Sequence, residues 1–507
     1  MRRPADLGDR WRRVDPITPI VGVVALLVYA LHGFDGYLSR DLAIYSYAGQ
    51  QVVDGVPPYV GILNRTGPLA HLLPAAGAGI ARGLGFDDLL GMRIFFMVIA
   101  AACVCVVYLL GRDLFASKLA GLAASSAFLS FSGFIVYASD GPREKTPMVL
   151  FFLCMLWAVS RQQWFGAGFA LSLATLTWQP VFLIGLASMV PVLLASRPSD
   201  RIRTLVRFAV GGAVPATIIV VYFAVAGALR QFVDAFLVIN ARYTPSAAFT
   251  SRVRDYWSGL RDGYGVSLWV ILAGLAALLV LAVLAIRRRD WRHSPAAIAL
   301  PAIGTSGVVA IIWTLRDYNG WPDMFVLLPL AAVGVAGIAK EVTQRLRANV
   351  ALWLTIAWVA AIVSVAVTDS VTTRDHRLDV QRASVSEMLD RLPADATFLA
   401  VQSSQSLVLS GKTNLTRYQT FTYGLDRYVD DTWPGGLEGF ADWIGRKQPT
   451  VITLGAKQPT PWLYELMTRD YERVGRVPGI TWYVNKSVPR PVRRDMSRAQ
   501  QLVELIR

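Results

Sequence analysis

The first polar stretch of the chain contains a carboxylate in a position where it could take part in chemistry. Asp41 follows the first apolar run, Ile17 to Leu31. The segment after Asp41 is amphipathic, with Leu42, Tyr45 and Val52 on one face. A carboxylate fixed between two such elements is the kind of group that acts as a general base. Asp is also a favoured N-cap residue, so Asp41 could instead cap a helix that begins at Leu42.

A second short polar stretch, SDGPREKTP, concentrates charge between two apolar runs. It contains Asp140, Arg143, Glu144 and Lys145. Carboxylates in such a loop can orient a hydroxyl group, and cations can meet a phosphate. The alternative is a solvated turn whose local ion pairs contribute about 0–1 kcal/mol. The residues alone leave both interpretations open.

Two other polar loops place cations beside aromatic residues. Arg316 precedes Asp317 and Tyr318 just outside a long apolar run, at a depth where a cation can meet the phosphate of a substrate lipid or of the bulk membrane. Arg242 lies in the loop of residues 227–265. This loop is typical of a flexible lid over a lipid-linked substrate, and equally typical of an amphipathic interfacial helix.

The elements that must position these residues are membrane helices. Of the 507 residues 54% are hydrophobic and only 17% are charged, whereas about a quarter are charged in soluble proteins. Long uncharged stretches separated by Arg-rich bursts indicate helices in lipid joined by loops. The net charge of +15 comes mainly from short loops beside apolar segments. It therefore indicates membrane orientation rather than a nucleic-acid partner.

The cysteines and histidines argue against two further kinds of site. Cys103, Cys105 and Cys154 all lie in apolar stretches, and no CxxC pattern exists, so no disulfide framework is expected. The four histidines are scattered without ligand spacing, which argues against a dedicated zinc site. No cofactor is therefore named, and a divalent cation stays open as an alternative.

About eleven apolar runs predict spanning helices. They are Ile17–Leu31 and residues 91–110, 118–137, 147–160, 164–178, 180–196, 206–226, 267–286, 295–315, 322–339 and 349–367. The segment Pro68–Leu84 is short for a span and contains His71 and Arg82. If it lies along the outer interface, the loops RPSDRIRTLVR, RRRDWRHS and AKEVTQRLR all share the cytoplasmic side with the N-terminus. The positive-inside rule favours that arrangement.

The hydropathy falls after Val367, on the side that this parity places outside the cytoplasm. Helix-like stretches there alternate with the β-rich runs TFLAVQ, TVITL and TWYVN, which predicts a small α/β domain. The expected organisation is a transmembrane domain of residues 1–368 with interfacial helices in the loop 32–90, an extracytoplasmic α/β domain of residues 369–486, and a basic tail of residues 487–507. The tail is expected to lie on anionic headgroups or to be disordered.

The first loop resembles the type-C (GT-C) superfamily of membrane glycosyltransferases. Protein O-mannosyltransferases, the aminoarabinose transferase of lipid A, and actinobacterial arabinosyl- and mannosyltransferases belong to it. The family pattern is an acidic residue after the first span, an interfacial helix, a "dG..PY" turn and a "Pl" pair. It reads here as Asp41, Tyr45–Val53, Asp54–Tyr59 and Pro68–Leu69. SDGPREKTP matches the second acidic position and RDYNGWPD the late cationic-aromatic group, but Gly67 stands where the family usually has a lysine.

The resemblance implies a polytopic α-helical protein of the plasma membrane with a GT-C-like fold. Members move a sugar from a polyprenyl-phosphate carrier, which the Ala- and Arg-rich composition suggests is decaprenyl phosphate, to an extracytoplasmic glycan, lipid or protein. Transfer by single displacement would invert the anomeric centre. Asp41 would be the general base, with Asp140 and Glu144 as further catalytic carboxylates. The donor phosphate would be bound by Arg143, Lys145, Arg242 and Arg316, and substrate would contact Tyr45, Tyr59 and Tyr318.

Two other classes of protein stay open. A transporter or flippase for lipid or polysaccharide predicts charged residues within spans and an internal repeat, and the sequence shows neither. A non-catalytic assembly partner of the cell envelope, whose C-terminal domain binds glycan, predicts that Asp41 is dispensable while that domain is not.

Overall fold

The computed structural model describes residues 15–244, 249–288 and 295–505. The basic N-terminal segment and the loop 289–294, two of the segments on which the expected orientation depends, lie outside these ranges. Up to residue 372 the described chain is helical. Its α-helices are α1 (Ile17–His32), α2 (Arg40–Val53), α3 (Leu69–Gly83), α4 (Asp88–Phe115), α5 (Lys118–Leu129), α6 (Ser132–Asp140), α7 (Lys145–Ser160), α8 (Trp164–Thr175), α9 (Val181–Ala187), α10 (Met189–Ala195), α11 (Pro198–Val225), α12 (Leu229–Val233), α13 (Ile239–Arg242), α14 (Phe249–Tyr264), α15 (Ser267–Arg287), α16 (Pro295–Arg316), α17 (Leu328–Thr343) and α18 (Ala348–Thr372). A π-helix (Asp234–Val238) precedes α13, and a 3-10 helix (Trp321–Leu327) precedes α17.

Within the described ranges, six helices are long and apolar enough to cross a membrane. The bent pair α5 and α6 makes a seventh if it counts as one span. Four further apolar helices are 10–17 residues long: α1, α7, α8 and the combined α9 and α10. The expected number of about eleven therefore requires these short helices to cross as well.

Side-chain caps fix where several of these helices begin. The Ser39 hydroxyl accepts a hydrogen bond from the backbone N–H of Leu42 at the start of α2, at 3.4 Å. Asp87 caps α4 in the same way through the N–H of Leu90, at 2.9 Å. These side chains satisfy backbone donors that have no partner within the first helical turn. The helix after the first apolar run thus begins at Arg40, one residue before Asp41.

The predicted single span over residues 118–137 is instead a bent pair. α5 ends at Leu129, and α6 starts at Ser132 with a change of direction of 70°. The hydroxyl of Ser130 donates back to the carbonyl of Ala127, at 2.9 Å, where the chain leaves the helix. Hydroxyls that bond nearby carbonyls compete with the helical ladder and favour such bends. After the bend, α6 runs from Ser132 to Asp140.

The remainder of the described chain forms a mixed four-stranded sheet with helices around it. Its strands are β1 (Phe398–Val401), β2 (Val451–Leu454), β3 (Tyr471–Val477) and β4 (Ile480–Asn485), in the order β1-β2-β4-β3. β1 and β2 are parallel, and the other two pairings are antiparallel. The surrounding helices are α19 (Arg377–Leu389), α20 (Ser404–Ser410), α21 (Leu425–Thr432), α22 (Gly436–Lys447), α23 (Pro461–Asp470) and α24 (Arg490–Leu505).

The basic C-terminal segment is not the expected tail. Residues Arg490–Leu505 form α24, whose apolar side chains Met496 and Val503 are buried in the core of the sheet. The Gln500 side chain exchanges hydrogen bonds with Ser384 of α19, at 2.6 and 2.8 Å. Buried positions recur every three or four residues, so the segment is an amphipathic helix whose basic face stays in solvent.

The sheet unit packs directly onto the start of α2. Leu38, Leu42 and Tyr47 share one buried cluster with Trp482 of β4. The Gln381 side chain of α19 accepts from the N–H of Leu38, at 3.0 Å, and donates to its carbonyl, at 3.1 Å. The sheet unit and α2 therefore form one packed body, and the contacts of Leu38 and Leu42 with the sheet unit fix the start of α2.

Candidate active site

A cavity of about 730 Å³ lies where the first loop, the start of α7, the end of α16 and the sheet unit meet. Five basic and four acidic side chains line it: Arg40, Arg65, Arg143, Lys145, Arg316, Asp41, Glu144, Asp317 and Asp323. Tyr45, Trp178, Gln179, Asn240, Thr420 and Tyr423 are among its other wall residues. The cavity thus unites charged groups from segments that are far apart in the sequence.

Asp41 lies in the first turn of α2 with its carboxylate held by two arginines. Its Oδ1 accepts from Nε and Nη2 of Arg40, at 3.1 and 3.0 Å. Its Oδ2 accepts from Nη1 of Arg143, at 3.3 Å. Because Ser39 caps the helix, the alternative in which Asp41 is the N-cap residue is wrong. The carboxylate is instead a wall group of the cavity.

The surroundings of Asp41 favour its ionised form. Burial raises the pKa of the Asp41 carboxyl, but the positive charges of Arg143 and Arg40 lower it by more. The net effect holds the pKa of Asp41 below its ordinary value. At neutral pH the group is therefore a carboxylate that can accept a proton.

The charged loop before α7 is buried, so the predicted alternative of a solvated turn is wrong. Arg143, Glu144 and Lys145 are each between 5% and 7% exposed. Glu144 Oε1 lies 3.6 Å from Nζ of Lys145, and its Oε2 lies 3.9 Å from Nε of Arg143. Oε2 of Glu144 has no hydrogen-bond partner within the described ranges. A buried acceptor without a partner, facing a cavity, is free to bind a substrate hydroxyl.

Lys145 is neutralised by an acid that the sequence reasoning did not single out. Its ammonium group forms a short buried ion pair with Asp323. The other oxygen of Asp323 accepts from the backbone N–H of Asn319, at 2.7 Å, and so closes the turn before the 3-10 helix. Asp323 is the last residue of the segment RDYNGWPD. A buried lysine requires a buried counter-charge, but nothing local in the sequence indicates which acid supplies it.

Asp140 lies outside the cavity, in a separate buried cluster. Its carboxylate contacts Nε2 of His32, at 3.4 Å, and Nη1 of Arg93, at 4.0 Å. Arg93 in turn donates to the carbonyls of Phe34 and Gly36. These contacts join the end of α1, the start of α4 and the end of α6. The position of Asp140 fits a structural role better than the predicted catalytic one.

Of the three tyrosines predicted to contact substrate, Tyr45 lines the cavity and the other two do not. The Tyr59 ring is fully buried between His71 and Phe223, with centroids 4.8 and 5.7 Å away. Its hydroxyl donates to the carbonyl of Thr66, at 2.7 Å, and so shapes the loop instead of facing a ligand. Tyr318 packs edge-on against Tyr256 of α14, with ring centroids 4.9 Å apart.

The two other predicted phosphate-binding cations are placed differently. Arg316, at the end of α16, is exposed and lines the cavity. No carboxylate lies within ion-pair distance of it in the part of the chain that the structure describes. Arg242 ends α13 with an exposed side chain and does not line the cavity, although Asn240 and Thr244 beside it do.

The cavity residues that sequence reasoning missed include Arg40, Arg65, Asp323 and Tyr423, which the structure brings together. Arg40 and Arg65 belong to the first loop, which the family pattern had marked. Tyr423 belongs to the sheet unit, and no motif indicated it. Across the described ranges, no group of three or more His, Cys, Asp or Glu side chains could hold a metal ion.

Close packing explains why position 67 has a glycine where the family usually has a lysine. Its backbone N–H donates to the carbonyl of Thr177, at 3.2 Å, and a Cβ atom there would collide with the carbonyl oxygen of Leu176. The loop after α8 therefore lies against bare backbone at position 67. The side chain of Arg65, two residues earlier, faces the cavity instead.

The chain is similar to known proteins in part of its sequence and in its fold. A family model for dolichyl-phosphate-mannose-protein mannosyltransferase matches residues 67–228. No curated protein sequence matches the chain. The crystal structure of ArnT from Cupriavidus metallidurans in the apo state is similar with a TM-score of 0.61 and 15% identity, over 92% of this chain and 97% of that one. ArnT bound to undecaprenyl phosphate has the same TM-score and identity, over 93% and 98%. The chain therefore has the fold of ArnT, and its long apolar helices are those of a multi-pass membrane protein.

Proposed function

We propose that the chain transfers a sugar from a polyprenyl-phosphate donor to a hydroxyl of a glycan, lipid or protein outside the cytoplasm. The observation that carries the proposal is the cavity, which joins the carboxylates of Asp41 and Glu144 to several cations at the ends of membrane helices. ArnT, which has the same fold, binds undecaprenyl phosphate. A lipid phosphate as donor group therefore agrees with both the fold and the local charge.

The reaction needs a base for the acceptor and positive charge for the leaving group. The acceptor oxygen attacks the anomeric carbon, the bond from that carbon to the phosphate oxygen breaks, and polyprenyl phosphate departs with inversion at the sugar. Asp41 takes the proton of the attacking hydroxyl. The guanidinium groups of Arg143 and Arg316 stabilise the charge that develops on the phosphate.

The pairing of Asp41 with Arg143 couples these two tasks. Before donor binds, Arg143 holds Oδ2 of Asp41 at 3.3 Å. A donor phosphate competes for the same guanidinium, because a charge-assisted bond to phosphate resembles the bond to a carboxylate. Arg143 then faces the phosphate, and the carboxylate of Asp41 becomes more basic and open to the acceptor. Glu144, whose Oε2 has no hydrogen-bond partner within the described ranges, is well placed to orient that acceptor.

The proposal also assigns the sheet unit. Residues 1–368 would form the transmembrane part, and the sheet unit would lie outside the cytoplasm, where it covers the cavity. Thr420, Tyr423 and Leu425 from this unit line the cavity wall. A cover of this kind keeps water away from the anomeric carbon, so that the acceptor hydroxyl is favoured over hydrolysis.

The test is sugar transfer by purified Asp41→Asn protein with a synthetic polyprenyl-phosphate sugar. The amide keeps the shape of the side chain, and Ser39 still caps α2, so folding should survive. Turnover should fall by roughly 10²–10⁴-fold if proton abstraction is lost. Asp54→Asn, at the other end of α2 and outside the cavity, is the matched control and should transfer normally.

Near-normal turnover in Asp41→Asn would move the role of base to Glu144. Glu144→Gln would then be expected to lose activity instead. If both amide variants transfer sugar at the rate of the unaltered protein, a base-assisted transfer in this cavity is wrong.

A further inference from the structure

A second cavity, of about 340 Å³, lies at the other end of the membrane helices from the candidate active site. We call it the second pocket. Its walls come from the end of α10, the start of α11 and the junction of α7 with α8, through Gln162, Trp164, Ala195, Ser196, Arg197, Asp200, Arg203, Thr204 and Arg207. None of these residues lines the first cavity. Most of them belong to the segment RPSDRIRTLVR, to which the proposed function gives no role.

The two cavities lie at opposite ends of the same two helices. α7 begins at Lys145, in the wall of the first cavity, and ends two residues before Gln162 of the second pocket. α8 runs back from Trp164 of the second pocket towards Trp178 of the first cavity. The 16 residues of α7 extend over about 24 Å at the rise of an α-helix. This length approaches the hydrocarbon thickness of a bilayer, so the second pocket lies near the headgroups of the opposite leaflet.

Close packing of α8 against α11 gives the second pocket its shape. A Cβ atom on Gly168 would collide with the carbonyl oxygen of Phe208. One on Gly211 would collide with the carbonyl oxygen of Phe165. The two backbones therefore touch there without intervening side chains. This contact holds the basic first turns of α11 beside the start of α8.

Three arginines of the second pocket carry charge that no carboxylate neutralises. Arg197, Arg203 and Arg207 line it, and none of them forms an ion pair within the described ranges. Asp200 is the one acid among the wall residues, so the second pocket carries two net positive charges. Thr204 is buried in the wall and adds a hydroxyl group. Unpaired guanidinium groups at headgroup depth attract the phosphates of anionic lipids.

The spacing of the cations and the surface beside them fit a lipid with two phosphates. Arg203 and Arg207 lie one turn apart on the same face of α11, about 6 Å along its axis. A three-carbon bridge holds two phosphates at a comparable separation. Along the same two helices Phe165 is 48% exposed and Val210 is 51% exposed. Acyl chains can lie against this apolar surface while the headgroup occupies the second pocket.

We propose that the second pocket binds the headgroup of a diphosphatidylglycerol, a lipid of the cardiolipin type, in the leaflet opposite the candidate active site. The expected orientation makes this the cytoplasmic leaflet. Two net positive charges balance two phosphates, and the Thr204 hydroxyl meets the free hydroxyl of the bridging glycerol. Basic pockets between membrane helices bind headgroups of this class. The inference goes beyond the proposed function and does not depend on sugar transfer.

The experiment measures lipid binding by the purified full-length protein after delipidation in detergent. The probes are cardiolipin, phosphatidylglycerol and inorganic phosphate, and thermal unfolding is recorded at rising concentrations of each. Cardiolipin should raise the unfolding temperature, because a ligand that binds only the folded protein stabilises it by mass action. Phosphatidylglycerol, which has one phosphate, should need on the order of tenfold more lipid for the same effect, since it forms fewer charge-assisted bonds.

The arginines of α11 are tested by paired substitutions. Arg203→Gln combined with Arg207→Gln should raise the cardiolipin concentration needed on the order of tenfold or more. Both side chains are exposed, so this variant should fold as the unaltered protein does. Arg203→Lys combined with Arg207→Lys keeps the charge but not the planar fork, and should lose less. Arg345→Gln is the matched control. Its side chain is 77% exposed beyond the end of α17 and outside the second pocket, so cardiolipin binding should not change.

Four results would overturn the inference. The first is equal cardiolipin affinity in the double glutamine variant and the unaltered protein, and the second is the absence of any stabilisation by cardiolipin. Equal stabilisation by phosphatidylglycerol or by inorganic phosphate would contradict the two-phosphate ligand and reduce the second pocket to a general anion site. A loss in Arg345→Gln as large as in the double variant would mean that the overall charge of this face, not the pocket, attracts the lipid.

Discussion

Asp41 and Arg143 share one hydrogen bond, and under the proposed function this bond links proton transfer to phosphate binding. The carboxylate takes the proton only when it is ionised, so turnover should be lost as the pH falls through its pKa. That pKa lies below the ordinary value, since the charges of Arg143 and Arg40 outweigh the opposing effect of burial. The kcat/KM of the unaltered protein should accordingly persist to a lower pH than an ordinary Asp would allow.

Arg143→Gln removes the first of the three positive charges, those of Arg143, Arg40 and Lys145, that lower the pKa of Asp41, so this pKa should rise. The acid limb of the pH profile of kcat/KM, which reports the protein before donor binds, should then shift to higher pH, in addition to any fall in the rate itself. The measurement is the transfer rate at low donor concentration across a pH series for both proteins. An acid limb at the same pH in the variant would show that Arg143 does not set the ionisation of the base.

Arg316 lines the cavity and has no carboxylate partner in the described ranges. Arg316→Met keeps much of the length and removes the charge. Donor binding should weaken by about 1.5–3 kcal/mol, the contribution of one hydrogen bond to a charged group. Equilibrium titration with the intact donor measures this loss. An unchanged affinity would assign Arg316 to the bulk-lipid surface.

At the scale of elements, the ion pair of Lys145 and Asp323 joins the start of α7 to the turn after α16. Removing one partner of a buried pair costs about 3–5 kcal/mol, because the remaining charge is left without compensation. Asp323→Asn and Lys145→Met should therefore each lower the thermal stability of the protein in detergent. The double variant should lose less than the sum of the two, because neither charge is then left alone.

The exposed pair of Arg391 and Asp495 is the control for this cycle. Asp495→Asn should change stability by only about 0–1 kcal/mol, as expected for a solvated ion pair. Additive losses in the double variant of Lys145 and Asp323 would contradict their coupling. Such a result would mean that the α7 start and the 3-10 turn are held by other contacts.

For the whole molecule, the main expectation is the orientation of the sheet unit. The Arg-rich loop before α18 is expected in the cytoplasm, and the sheet unit outside it. After Cys103, Cys105 and Cys154 are replaced, single cysteines at the exposed positions Asn349 and Gln458 report the two sides. An impermeant thiol reagent applied to intact cells should label Gln458→Cys and leave Asn349→Cys unlabelled. The opposite pattern would place the cavity in the cytoplasm and remove the basis for an extracytoplasmic acceptor.

Contacts within the molecule also explain why the sheet unit matters to the cavity. It packs on α2 through Leu38 and Leu42 and places Tyr423 in the cavity wall. A domain that only tethered the protein to a glycan would need neither contact. Because of these contacts, we propose that the sheet unit is part of the cavity and not a separate glycan-binding domain.

Local patterns in the sequence were enough to predict much of the architecture. Uncharged runs of residues predicted the membrane helices, because burial in lipid excludes charge along a whole segment. The β-rich runs TFLAVQ, TVITL and TWYVN coincide with β1, β2 and β4. β3 was missed, since its sequence YERVGRV has two adjacent charged residues and a glycine and so lacks the strict alternation that indicates a half-buried strand. The α5–α6 bend and the α24 helix were also missed, because neither changes the average composition of its segment.

The cavity was only partly predictable, because the pairing of its charged side chains depends on tertiary packing and not on their spacing in the sequence. The family pattern of the first loop was enough to mark Asp41, and charge alone marked Arg143, Glu144, Lys145 and Arg316. The tertiary structure decided that Asp41 meets Arg143, 102 residues later in the chain. It decided likewise that Lys145 meets Asp323, 178 residues away, and that Tyr423 meets Arg65 across 358 residues. Hydropathy is a local property of each segment, whereas the pairing of buried charges depends on which segments fold against one another.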